Sequence, residues 1–148
     1  MKQIEYRLYR YSFRDNIDIR AIKIEGLPYR YWVVEDIMSV TKSDGVRRRI
    51  KKQTISLLKY IDVGMYKIET PDGDIVLDDA FSYYFNNGKD MGRIPKRGLR
   101  LISEFQVENL LSAKDGNAKE FKWWFKLTTG QMTIDEVIEA IKEEENGA

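Results

Sequence analysis

The chain has 148 residues, 43% of them hydrophobic and 33% charged, with 25 basic and 24 acidic side chains, no cysteine and no histidine. That length and balance fit one globular domain, and they exclude a disulfide scaffold, thiolate chemistry, the usual neutral-pH base and the commonest zinc ligand. A formal net charge of +1 offers no global attraction to nucleic acid, so any such function rests on local clustering.

No apolar run approaches the ~20 residues needed to cross a bilayer, and the opening MKQIEYRLYRYSFRD lacks the apolar core of a signal peptide. A soluble, cytoplasmic protein without a membrane partner is the expectation. Residues 3–13 alternate loosely in β-favouring aromatic and branched residues, as in a strand with one exposed face, and Asp15-Asn16 marks a turn. In the next run, Ile17, Ile19 and Ala21 share one parity and Ile22 and Ile24 the other. Either a bulge near Ala21-Ile22 or a strand buried on both faces explains the switch.

Gly26-Leu27-Pro28 supplies the turn of a hairpin leading into YRYWVV, after which Val34, Ile37 and Met38 take up helical spacing. Trp32, Val34, Ile37 and Trp124 read as core, and Asp36 as a structural carboxylate, either on the helix surface or near the helix N-terminus. Ser43 or Asp44 can then cap a short helix with Val46 and Ile50 inward and Arg47, Arg48, Arg49, Lys51 and Lys52 largely outward. This is the densest positive charge in the chain. A helix, a tight turn and a basic helix outline a helix-turn-helix reader, whose arginines can bind phosphates or the O6/N7 edge of guanine. A solvated basic helix is the plain alternative.

Residues 55–77 read as strands, with Pro71-Asp72-Gly73 turning MYKIET into DIVL. Asp78 is a candidate N-cap for a helix over DAFSYYF, closed by Asn87-Gly88. The basic loop that follows delivers Arg93, Lys96, Arg97 and Arg100, a second candidate phosphate-contacting patch, without the GxxxxGK[ST] spacing of a nucleotide loop. In LISEFQVENLLSAKDGNAKEFKWWF, residues 101–125, an apolar pair ends a strand. Val107, Leu110 and Leu111 then share a helical face up to the break at Asp115-Gly116-Asn117, and Ala118, Phe121, Trp124 and Phe125 share the next. Thr133 and Glu136 form a capping box for a last helix bearing Ile134, Val137, Ile138 and Ile141, which packs on the domain or on a copy of itself. Its acidic end, residues 143–148, is expected to fray.

Pro71-Asp72 with Glu120-Phe121-Lys122 echoes the PD…(D/E)xK pattern of metal-dependent nucleases, but the first pair reads as a hairpin turn and the second group as helix. A non-enzymatic protein without metal or cofactor is therefore expected.

Two passages resemble the BRO-N domain of viral BRO proteins and of phage and prophage antirepressors. Gly26, Pro28, Trp32, Val33, Val34, Asp36 and Ile37 follow its opening G-x-P-W-F-V-x-x-D-V with two extra residues after the proline. Glu104, Leu110, Leu111, Ala118, Lys119, Phe121, Trp124 and Phe125 follow its closing N-E-x-G-L-Y-x-L-I and A-K-x-F-x-x-W-V, with Gln106-Val107-Glu108 in place of Gly-Leu-Tyr. The resemblance spans roughly residues 17–127, with a divergent insertion at about 62–100 and a C-terminal helix and tail over 128–148.

It implies a viral, phage or prophage protein acting in transcription control by binding DNA, most simply double-stranded. The expected fold is a single α+β domain with an antiparallel sheet and several short helices. The alternative is a protein-binding module that captures a repressor or another host factor, with oligomerisation through the C-terminal helix as a further partner expectation.

Overall fold

The computed structural model describes residues 4–14, 17–52, 57–62, 66–78, 98–111 and 116–147. Seven antiparallel strands form one sheet: β1 (Tyr6–Arg14), β2 (Ile17–Ile24), β3 (Tyr31–Val33), β4 (Leu57–Asp62), β5 (Tyr66–Thr70), β6 (Gly73–Leu77) and β7 (Leu99–Ser103), in the order β1-β2-β3-β7-β4-β5-β6. Five helices are described: α1 (Val34–Thr41), α2 (Asp44–Lys51), α3 (Val107–Leu110, entered by a 3-10 turn over Glu104–Gln106), α4 (Gly116–Thr128) and α5 (Ile134–Asn146). The chain is thus a single α+β domain, as its residue patterns led one to expect.

The parity switch in β2 comes from burial on both faces, not from a bulge at Ala21-Ile22. Ile19 and Ala21 join the core beneath the helices, and Ile22 and Ile24 join a second core on the opposite face. The register shift lies on β1 instead, between Ser12 and Arg14. β1 and β6 are opposite edges of the strand order, yet Tyr6 on β1 donates a hydrogen bond to Asp78, one residue past β6, at 2.9 Å. The sheet therefore curls until its edges approach, and Tyr60, Ile68, Leu99 and Leu101 are buried on its inner face.

Trp32, Val34 and Ile37 are fully buried as expected, while Trp124 is half-buried, edge-on to Trp32 and Phe13. Both hairpin turns occur where glycine and proline signal them, and β4 pairs with β7, so the β4–β6 strands extend the sheet from its middle. Gly98 enters β7 with φ at 78°, and a Cβ there would run into the Tyr60 backbone carbonyl, which makes glycine a requirement. The capping box forms at Thr133 and Glu136, and α5 continues through Asn146 where fraying was expected to begin at 143. The expected turn at Asp15-Asn16, the expected helix over DAFSYYF with its close at Asn87-Gly88, and the expected basic loop through Arg97 lie outside the described residues.

Candidate nucleic-acid interface

The sheet holds α1 by two ion pairs in the first helical turn. Asp36 is buried, its carboxylate taking Arg20 Nε at 3.0 Å, Arg20 Nη2 at 3.0 Å and the Arg20 backbone N–H at 2.9 Å. Of the two placements that its position in the sequence allowed, the structure has the one at the helix N-terminus, turned inward to β2 rather than out to solvent. Glu35 takes β7, two strands along the sheet, accepting from Arg100 N and Arg100 Nε, each at 2.7 Å. With no side-chain cap on Val33, these two carboxylates are what the N-terminal dipole of α1 faces.

α1 stops at Lys42, whose backbone is left-handed (φ 47°, ψ 33°), and Ser43 starts α2 at once, its Oγ accepting from Val46 N at 3.2 Å. Two residues thus separate the helices. Val46 and Ile50 are buried in the core with Val107 and Leu110, which fixes the rotation of α2 about its axis. Arg47, Arg48, Lys51 and Lys52 are left exposed. Arg49 differs: it is half-buried and donates through Nη1 to the Leu110 carbonyl at 3.3 Å, tying α2 to α3.

Elsewhere several exposed and half-exposed cations have carboxylate partners, while Arg7, Lys23, Lys42, Lys59, Lys119 and Lys142 have none among the described residues and lie apart from one another in the chain. Arg14 meets Glu120, Arg30 meets Glu104, Lys67 meets Asp74 at 2.9 Å and Lys126 meets Glu108 at 2.7 Å. Among the described residues, Arg47, Arg48, Lys51 and Lys52 have no such partner, and Asp44 is the single acid on their helix. Cations in the last turn of α2 also complement its dipole, but that needs no more than one or two of them.

Of the second basic stretch, Arg93, Lys96 and Arg97 lie outside the described residues. Arg100 is engaged by Glu35 and by Met38, so it holds α1 on β7 rather than offering a free charge.

Residue spacing did not point to the cluster around Arg30. Its guanidinium lies over the rings of Tyr9 at 4.8 Å and Trp32 at 5.2 Å, and Glu104 accepts from both Arg30 Nε and Trp32 Nε1. Burial pulls against the charge of Arg30, but the bonds and charges of Glu104 and Tyr11 outweigh it and hold the pKa above its ordinary value. Beside this cluster, Pro28, Tyr29, Phe105 and Gln131 help line a cavity of about 430 Å³. At its edge Phe105, 74% exposed, stacks on Tyr29 with centroids 6.0 Å apart. An aromatic in a polar SEFQ run gave no periodicity by which to recognise this. Glu120, the second carboxylate of the nuclease-like pattern, pairs with Arg14, and Asp72 lies in the β5–β6 turn. No group of three potential metal ligands occurs among the described residues, and no described helix is long and apolar enough to cross a membrane.

No family model, curated protein or solved structure matches the chain.

Proposed function

We propose that the domain binds double-stranded DNA through the exposed face of α2 and acts, without catalysis, in transcription control. The observation that carries this reading is the set of four exposed cations without carboxylate partners gathered on the one helix α2. The other described cations that lack such a partner, Arg7, Lys23, Lys42, Lys59, Lys119 and Lys142, are spread one each over β1, β2, the end of α1, β4, α4 and α5. The likeness to BRO-N opening and closing sequences points the same way. Helix-turn-helix readers contact bases from the first turn of their second helix. Here that turn holds Asp44 and Gly45, and the cations follow it, so α2 grips phosphates more than it reads bases.

The test is fluorescence anisotropy of labelled random duplex and single-stranded DNA across a salt series. Four phosphate contacts predict a log–log slope of about −3.6, or an affinity loss of about 150-fold between 50 and 200 mM salt. Alanine at Arg47, Arg48, Lys51 and Lys52 together abolishes that dependence without unfolding the domain. An unchanged affinity and slope in that variant would reject the assigned surface.

The stacked Tyr29–Phe105 pair supports a second reading, in which the domain captures a protein factor, because an aromatic this exposed is a characteristic interface anchor. Under this reading a stoichiometric partner co-purifies after nuclease treatment and is lost on Phe105→Ser. Retention of the partner by that variant counts against it.

A further inference from the structure

α5 presents an apolar face that the described residues leave partly exposed. Val137 is buried against the domain at 3% exposure, whereas Ile134 and Ile138, one turn apart, are 59% and 44% exposed. Beside them run Asp135, Glu139 and Glu143, all exposed and, among the described residues, without a cation. Two other acids of the helix are engaged, Glu136 in the capping box and Glu144 with Lys122 at 3.8 Å.

The chemistry of this face selects its occupant. A second α5 would set acid against acid, and two α2 helices would set cation against cation. α2 against α5 is complementary. Asp135, Glu139 and Glu143 follow one another every four residues, as do Arg47 with Lys51 and Arg48 with Lys52, so both rows repeat at about 6 Å along their helices. Laid antiparallel, the rows match, the helix dipoles oppose, and the aliphatic stems of Arg47 and Arg48 can cover Ile134 and Ile138. Within one copy, α2 packs on α1 and α3 and α5 packs on α4, with no ion pair between α2 and α5 among the described residues.

We infer that α5 of one copy docks on α2 of another, a self-association driven by charge and sealed by the two isoleucines. The docked helix covers the cations proposed to hold phosphate, so self-docking and DNA compete. That last consequence rests on the DNA-binding reading.

A charge swap tests the docking. One variant carries Arg47→Glu, Arg48→Glu and Lys51→Glu, and the other Glu139→Lys and Glu143→Lys, with circular dichroism confirming that each is folded. In sedimentation velocity at ~0.01–0.05 M ionic strength, where screening is weak, the native chain self-associates and each variant alone runs as a single copy. An equimolar mixture of the two forms a complex again, and ~0.5 M salt disperses both assemblies.

A native chain that stays single, or a mixture that forms no complex, overturns the docking. So does either variant self-associating as the native chain does. Random duplex added to the native assembly releases single copies bound to DNA; a duplex that binds without dispersing the assembly overturns the competition. A mixed complex from a protein that binds no duplex leaves the docking standing and removes the DNA reading, whereas duplex binding without a mixed complex does the reverse.

Discussion

Replacing Asp36 with alanine removes the acceptor of three hydrogen bonds from Arg20 and takes the carboxylate from beside its guanidinium, in a site where the two side chains are 5% and 6% exposed. Breaking one side of a buried ion pair costs ~3–5 kcal/mol, which for a domain of this size lowers Tm by roughly 6–20 °C. The pair joins α1 to β2, so the loss reaches α2 through the two-residue turn. Apolar replacement of both partners, Arg20→Met with Asp36→Leu, removes both buried charges together. It still removes the Asp36 acceptor of the backbone N–H at position 20, at ~1–3 kcal/mol, so the double variant should lie within about 2 kcal/mol of native. Urea titration followed by tryptophan fluorescence measures all of these. An Asp36→Ala cost below ~1 kcal/mol, or a double variant as unstable as the sum of the singles, would refute the account of α1 as held by a buried pair.

Arg48→Ala and Arg49→Ala should separate surface from anchor. The first lowers the salt slope of duplex binding by about 0.9 with stability unchanged, while the second costs on the order of 1 kcal/mol in urea titration through the lost Leu110 bond and moves the slope less. Gly98→Ala combines a left-handed backbone with a collision at the Tyr60 carbonyl, and should destabilise by roughly 2–5 kcal/mol in the same assay. Burial and then the neighbouring Tyr29 raise the pKa of Tyr31, so the folded state keeps that proton where the unfolded chain has released it. Stability from this source is complete below about pH 10 and is lost as pH climbs through the folded value; the Tyr31→Phe variant should show a shallower alkaline decline in its urea midpoint.

Much of the local structure was legible because it is written in spacing. Ser43 caps α2, Val46 and Ile50 face inward at a separation of four, Thr133 and Glu136 form their box, and Pro71-Asp72-Gly73 turns a hairpin, since each depends on residues within one helical turn or one tight turn. Periodicity also placed Phe121 and Phe125 in the core and set Arg47 and Arg48 on the outside of their helix. What it could not do was tell a free cation from a committed one. Arg49 and Arg100 look like their basic neighbours in the chain, yet the first is drawn to a carbonyl on α3 and the second to a carboxylate on α1.

Those partners are 61 and 65 residues away, and Asp36 meets Arg20 across 16. Composition and spacing determined which segments become strands and helices and which way each helix turns, because backbone hydrogen bonding and burial repeat at fixed short intervals. Tertiary structure alone decided that β7 enters between β3 and β4, that the sheet curls until Tyr6 reaches Asp78, and which charges pair. These depend on distances that close only when remote segments share one core, and that pairing leaves four exposed cations side by side on α2.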